Sequence, residues 1–420
     1  MDLEPYLESS QKHKVLRILF GCVALLLPFL VIWQLMLIVL AVTIIFAFIA
    51  PKNRISVHIC FAVLILVVLS WLLNFPIYLL GASVAIFTFN GVTRDLITQR
   101  KTIQGSVTFL LLGVIFAFCI GSWVIALTNV ILSSPYQFMF FLAVIGVITG
   151  AMLESIPHSN ENLTVPLGSA MAMWLFAGFG YWITPSYLIL VLALMLAIGY
   201  ISYKVNIADI TGALSGVLWG VLIIIFEDMR WFAVLFGFFV LGGAFTRYKY
   251  EYKQSLGIAE ADGGARGYRN VFGNGLVALI LAVAGGVFGN PIFMVGYLGA
   301  IATATGDTLA SEIGETSEYQ PVSIITFKRV RTGTNGAISV LGEISAIAGS
   351  AAIGILAIFL GMAGLQVASI TILGGFIGAN VDSLLGATLE NRGYLTNSSV
   401  NLFATAAGAL VSAGLYYVLV

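Results

Sequence analysis

Apolar residues recur along this chain in long runs, and short polar stretches punctuate them. The runs fall at about 18–33, 34–50, 57–73, 75–90, 103–129, 134–152, 167–182, 184–202, 212–226, 230–246, 274–290, 292–306, 338–360, 364–381 and 401–419. A straight membrane-crossing helix needs about 20 predominantly apolar residues, and the pattern predicts an all-α, polytopic transmembrane helical bundle of about 12–15 hydrophobic segments. The runs near 15 residues are short for a straight crossing. Some of these are candidates for re-entrant or discontinuous segments, which occur where broken backbone lines a cavity. The first run follows an acidic and then basic start, with no small-residue cleavage site soon after it. It therefore reads as a retained helix and not as a signal peptide.

Composition sharpens this picture. The chain is 60% hydrophobic and only 9% charged, whereas a soluble domain carries about 25% charge. No soluble fold covers so many apolar runs. Formal net charge is zero, which argues against a nucleic-acid surface. Cys22, Cys60 and Cys119 lie in apolar runs without CxxC spacing and read as packing residues. His13, His58 and His158 are scattered without metal spacing. The chain has no GxxxxGK[ST] and no GxSxG, which argues against a P-loop ATPase and a serine hydrolase.

The basic residues cluster at Lys12–Arg17, Lys52–Arg54, Arg94–Lys101, Lys204, Arg247–Arg269, Lys328–Arg331 and Arg392. Pairs of proposed spans separate these clusters, so all fall on one face, and Arg230 alone of the nineteen Lys and Arg residues falls on the other. Short basic loops stay cytoplasmic. The expectation is a multi-pass protein of the cell membrane with its long loops, about 247–273 and 314–337, in the cytoplasm.

Those loops and the helix ends beside them hold the candidate chemistry. Asp307 and Glu312 follow a segment of small residues in GDTLASEIG (306–314). Carboxylates at membrane depth need a partner or a task, and Mg²⁺ is the natural ion for carboxylate and phosphate oxygens. The bland alternative is that both merely solvate a loop. Asp382 follows a long apolar run and is a third candidate metal ligand, or a helix-end carboxylate. Lys328 and Arg331 precede Thr332–Gly336, TGTNG. Cationic side chains, Asn335, Thr334 and the backbone of Gly333 and Gly336 suit phosphate oxygens, although a basic loop that only sets topology is the alternative. Arg266 and Arg269, in GGARGYRN, pair glycine with basic residues in the same way. Glu343 reads as an internal polar contact, and Ser398 or Ser399 as a cap of the last helix.

These stretches resemble a known family. Residues from about 185 to 420 are similar to the DUF92 family of integral membrane proteins, which includes phytyl-phosphate kinase-like proteins and transmembrane protein 19. The resemblance rests on KYEYKQSLGIAEADGGARGYRNVFGNG (249–275), GDTLASEIG (306–314), TFKRVRTGTNGAISVLG (326–342) and DSLLGATLENRG (382–393), in that order. Residues 1–184 more weakly resemble the phytol kinase and dolichol kinase family, through KTIQGSVTF from Lys101 and ESIPHSNENLTVPLG from Glu154. The Gly-Asp pair of that family is missing here, which suggests a degenerate front domain. The organisation expected is thus a membrane domain over 1–184 and a catalytic membrane domain over 185–420.

What the resemblance implies is a transferase: phosphoryl transfer from CTP or ATP, as co-substrate with Mg²⁺, to an isoprenoid monophosphate such as phytyl or geranylgeranyl phosphate. Asp307, Lys328, Arg331 and Asn335 would be catalytic. Arg266, Arg269, Gly333, Thr334 and Gly336 would bind nucleotide or phosphate, and Asp307, Glu312 and Asp382 would hold the metal. The partners expected are membrane lipid and an isoprenoid phosphate, with no nucleic acid. A transporter of an anionic solute and a cytidylyltransferase forming a CDP-lipid are the competing readings.

Overall fold

The apolar runs become helices wherever the computed structural model describes them, over residues 4–49, 54–89, 91–92, 103–128 and 130–420. Among these residues fifteen helices of 11 residues or more follow the fifteen runs. Ten of the helices are long and apolar enough to cross a membrane. The protein is therefore an all-α, multi-pass integral membrane protein. Lys52, Arg94 and Lys101 lie outside the described residues.

The chain divides into two compact units, residues 1–190 and 191–420. In the first, α1 (Glu4–Leu26), α2 (Ile32–Ile49), α3 (Arg54–Leu73), α4 (Ile77–Phe87), α5 (Ile103–Leu127), α6 (Pro135–Ser155) and α7 (Glu161–Gly178) follow in order. Helix α4 is buried along nearly its whole length and packs on α1, α3, α5, α6 and α7. Its 11 residues extend about 16 Å, half of a bilayer's hydrocarbon core. It is a short segment enclosed by protein. Arg17, 5% exposed, donates from Nη2 to Asn162 Oδ1 at 2.9 Å and sits over the Phe87 ring.

The second unit follows α8 (Pro185–Lys204) with α9 (Ile210–Phe226), α10 (Met229–Arg247), the short α11 (Tyr250–Leu256), α12 (Tyr268–Phe288), α13 (Pro291–Gly314), α14 (Val340–Phe359), α15 (Leu365–Leu385) and α16 (Asn397–Leu419). Helix starts in an apolar medium leave N–H groups unsatisfied unless a side chain accepts from them. Asp209, Asp228, Asn290 and Ser339 do so for α9, α10, α13 and α14. Gly289, at φ 65°, ends α12 in the left-handed conformation and leads into the Asn290–Pro291 start of α13.

Helix α13 is the centre of this unit. It packs on α10, α12, α14, α15 and α16 and is mostly buried, whereas less than half of each of α14 to α16 is. Small residues make this possible, because without a hydrophobic drive between helices in lipid the contact energy comes from close packing. A Cβ on Gly349 of α14 would stand 2.9 Å from Thr305 O and 3.0 Å from Gly306 Cα. A Cβ on Gly408 of α16 would stand 3.0 Å from Gly374 O and 3.2 Å from Gly299 O. Backbone therefore touches backbone at both crossings.

Three helices extend beyond their apolar runs into the polar motifs. Helix α13 continues to Gly314, α12 begins at Tyr268, and α15 runs on into a π turn, Gly386–Glu390. Asp307, Glu312, Asn274 and Asp382 thus sit on helices instead of in loops. Polar side chains here face other polar side chains inside the bundle. The last helix begins at Asn397 behind Thr396, without a side-chain cap, so neither Ser398 nor Ser399 caps it.

All the polar connections of α8–α9, α10–α12, α13–α14 and α15–α16 gather at one end. Arg247 Nη2 donates to Val205 O at 2.6 Å, Arg266 pairs with Ala208, and Asn391 Nδ2 donates to Asn335 O at 3.3 Å. Between α13 and α14 a small antiparallel hairpin pairs Val322 with Ile338 and Ser323 with Ala337. Glu227, Asp228 and Arg230 occupy the α9–α10 turn, at the other end.

Gly408→Val should lower the stability of the detergent-solubilised protein by about 1–3 kcal/mol, as overpacking does. Gly414→Val lies on the same helix with nothing within 4 Å of the added Cβ. It should melt like wild type in a thermal unfolding series, and equal melting of both variants would refute backbone contact as the packing device.

Candidate functional site

At the loop-bearing end of the second unit, α13, α15 and the hairpin enclose a polar cleft of ≈ 220 Å³. A second polar space of ≈ 90 Å³ continues it between α10, α12, α13 and α16. Glu260, Asp307, Ser311 and Asn397 line both, so the two form one cleft with Asp307 at the joint.

Asp307 of α13 and Asp382 of α15 face each other within hydrogen-bonding reach, and Glu390 acts on both at longer range. Neither aspartate makes an ion pair with a described residue. Two unneutralised carboxylates so close in a low-dielectric site repel, and the pair is stable only with a shared proton or a cation between them. Amide groups complete the surroundings. With its amide oriented to satisfy its neighbours, Asn401 donates to Asp382 Oδ1 at 3.1 Å and accepts from Asn274 Nδ2 at 3.2 Å. Asn380 donates to Glu343 Oε2 at 3.2 Å on the cleft's far wall.

Thr332–Gly336 lines the same cleft as the carboxylates. Gly333 and Gly336 take φ of 80° and 76°, conformations that L side chains rarely adopt. At Gly336 a Cβ would also stand 2.5 Å from Ser383 O. Thr334 Oγ1 donates to Arg331 O at 2.6 Å, which fixes the turn. The N–H groups of Gly333 and Asn335 donate to no described group, unlike that of Thr334. The turn lines the cleft, and unpaired backbone N–H groups in such a turn suit phosphate oxygens.

The cations are distributed differently from the sequence expectation. Lys328, Arg329 and Arg331 are exposed on the hairpin and line neither part of the cleft; Arg331 reaches back to Leu256 O at 3.5 Å. Arg269 is exposed and donates to Tyr268 Oη at 3.2 Å. The buried cations of this unit are Arg266, 9% exposed, and Lys253, 1% exposed. Lys253 donates to Thr246 O at 2.9 Å and forms an ion pair with Glu312. Glu312 is therefore engaged by lysine and stands apart from the Asp307–Asp382 pair. Lys253, Glu260 and Glu390 are residues at the site that the sequence reading did not single out. Lys253 sits three residues after Tyr250 on the short α11, whose fold over the bundle end no local pattern reveals.

Glu260 and Glu315 respond to this burial. Desolvation raises the Glu260 carboxyl above its ordinary range, the Glu312 carboxylate adds to that, and Arg266 and Lys253 oppose it. Desolvation, helped by Glu312, pushes Glu315 up to about 7, with Lys253 opposing.

Fold and site together define a polytopic membrane protein with a carboxylate-bearing cleft at one end of a glycine-packed bundle. The sequence profile of the integral membrane protein family DUF92 matches residues 193–409, and the chain belongs to that family. An uncharacterized membrane protein of Methanocaldococcus jannaschii is 33% identical over 229 residues, 54% of this chain and 92% of its own length. An uncharacterized membrane protein of Synechocystis is 34% identical over 206 residues, 48% of this chain and 80% of its own. The chloroplastic protein VTE6 of Arabidopsis thaliana is 30% identical over 189 residues, 43% of this chain and 57% of its own. No solved structure matches the chain.

Two outcomes follow from the buried charges. Lys253→Met leaves Glu312 buried without its partner and should cost about 3–5 kcal/mol in denaturant unfolding, most of it recovered in Lys253→Met/Glu312→Gln. Glu315 binds its proton more tightly folded than unfolded. Stability should thus fall as pH rises from the ordinary value of 4.5 through about 7. Melting curves of Glu315→Gln should lose that part of the decline.

Proposed function

We propose that this protein transfers a phosphoryl group from a nucleoside triphosphate, CTP or ATP, to an isoprenoid monophosphate such as phytyl or geranylgeranyl phosphate, giving the diphosphate. The observation that carries this reading is that the Asp307–Asp382 pair shares one cleft with a turn in which two backbone N–H groups have no partner among the described residues. Similarity to VTE6 and the resemblance noted in the sequence support it.

The donor set fits Mg²⁺, which takes one or two carboxylates and leaves its other positions to water and phosphate oxygens. Among the described residues no cluster of three or more His, Cys, Asp or Glu is arranged to hold a metal ion. Asp307 and Asp382 would therefore be its protein ligands; when bound, the ion offsets phosphate charge and orients the triphosphate. Gly333 and Asn335 N–H groups would hold phosphate oxygens. In the transfer an oxygen of the acceptor phosphate bonds to the γ-phosphorus. The bond from that phosphorus to the β–γ bridging oxygen breaks, and the nucleoside diphosphate leaves with its electron pair. The acceptor is already an anion near neutral pH, so no general base is required.

In the assay, the purified full-length protein receives a prenyl monophosphate and labelled CTP or ATP with Mg²⁺. Prenyl diphosphate and nucleoside diphosphate are expected. Asp307→Asn should lose at least about 100-fold in rate, as removal of a positioned electrostatic group does, while staying monodisperse. Near-native turnover by this variant would sink the metal assignment. A CDP-lipid with pyrophosphate would make the protein a cytidylyltransferase. Solute flux in vesicles without any product would make it a transporter, a reading that paired buried carboxylates also suit.

We place the loop-bearing end in the cytoplasm because it gathers the basic residues of this unit except Arg230. In a cysteine-free background, Tyr252→Cys and Thr332→Cys should label only from the cytoplasm and Asp228→Cys only from outside. The reverse pattern would invert the orientation.

A further inference from the structure

Beside the polar cleft, α8, α9, α10 and α12 enclose another chamber, of ≈ 80 Å³, with walls that are almost wholly apolar. Met195, Val217, Trp219, Phe232 and Phe239 line it, and Phe236, 37% exposed, marks its rim on the flank of the bundle. Arg266 and Asn270 line both this chamber and the polar cleft, so the two spaces meet at these side chains.

Arg266 is an unusual residue to find there. Its backbone is bonded, N–H to Ile207 O at 2.9 Å and O from Asp209 N at 3.1 Å. Its guanidinium stacks over Phe238 at 5.1 Å and packs against Gly242. Yet it makes no hydrogen bond or ion pair with any described residue: Glu312 and Glu260 act on it only through their charge, and Glu312 is already held by Lys253. A guanidinium offers five donors and cannot shed its charge. One that is nine-tenths buried and unpaired, between an apolar space and a polar one, is complementary to an anion carrying an apolar chain.

We propose that the chamber seats the hydrocarbon chain of a lipid monophosphate and that Arg266 binds the phosphate where the chamber opens into the cleft. This rests on the acceptor class of the proposed function, and adds where the chain enters and which cation receives its head. The chain would lie among Trp219, Phe232 and Phe239 and leave past Phe236 toward the lipid. The phosphate would then sit on the Asp307 side of Arg266, facing the reaction.

Gly216 of α9 provides a direct test. It lines the chamber, and nothing lies within 4 Å of a Cβ built on it. Gly216→Phe therefore places its ring in the chamber from a position where the Cβ itself meets nothing, and Gly216→Ala leaves most of the chamber open. Binding of farnesyl monophosphate and of inorganic phosphate to the full chain in detergent would be measured by calorimetry without nucleotide. Gly216→Phe should weaken farnesyl monophosphate binding at least about tenfold and spare Gly216→Ala-like affinity for inorganic phosphate, and Arg266→Gln should weaken both by a similar factor, as lost charge-assisted hydrogen bonds do. Unchanged farnesyl monophosphate affinity in Gly216→Phe would overturn the chamber assignment. Unchanged affinity in Arg266→Gln would overturn the role of the arginine. If Arg266→Gln does not fold, Arg266→Lys should bind both probes more weakly than wild type. The reaction is judged separately. Loss of binding in these variants with no turnover by wild type keeps the lipid site and removes the phosphotransfer. Turnover with wild-type affinity in both variants does the reverse.

Discussion

Two aspartates are held side by side inside an apolar bundle, and the second unit is arranged around that fact. Like charges this close are unfavourable in a low-dielectric interior, so the scaffold must hold them there by force of packing. It does so with glycine. Where α13 meets α14 and α16, backbone touches backbone, and such crossings leave little freedom for one helix to slide along another. Asp307 follows Gly306 directly, so the tightest part of the packing abuts the most costly pair of side chains. The polar amides of Asn274 and Asn401 then close the site from the α12 and α16 side.

The distribution of positive charge is the other half of the design. Exposed arginine and lysine on the hairpin can set orientation in the membrane and attract anions from water, but water screens them. Lys253 and Arg266 are withdrawn from water, and their fields act at short range inside the cleft. Lys253 is committed to Glu312; Arg266 is not committed to any residue described. One buried cation is thus held in an ion pair, while the guanidinium of the other keeps its donors without a partner among the described residues.

Much of the fold was legible from hydropathy alone. Each apolar run became a helix, because in a bilayer the backbone has to satisfy its own hydrogen bonds. Helix ends were less legible. GDTLASEIG looks like a loop by its polarity, yet Thr303 and Thr305 return their hydroxyls to Gly299 O and Ile301 O within α13, and the helix continues through the motif. For the site, the sequence brought Asp307, Asp382 and the TGTNG turn into view, and the fold brings them to one cleft. It also grouped Glu312 with the aspartates and favoured Lys328 and Arg331 over Lys253. That choice depends on which side chains turn inward, and α11 and the hairpin fold through contacts far apart in sequence, such as Arg331 with Leu256 and Asn391 with Asn335. No periodicity encodes those.

The π turn at Gly386–Glu390 has a mechanical meaning. A π turn is wider than the α turns before it and commonly marks a functional position. Here its first residue, Gly386, faces the backbone of Gly336, and a Cβ on it would stand 3.2 Å from Gly336 N. Asn391, which closes the turn with its N–H on Gly386 O, also donates its side chain to Asn335 O. The end of α15 and the tip of the hairpin are therefore meshed like gear teeth, glycine against glycine. The position of the TGTNG turn and that of the helix bearing Asp382 are thus linked by direct contact, so one cannot shift far without the other.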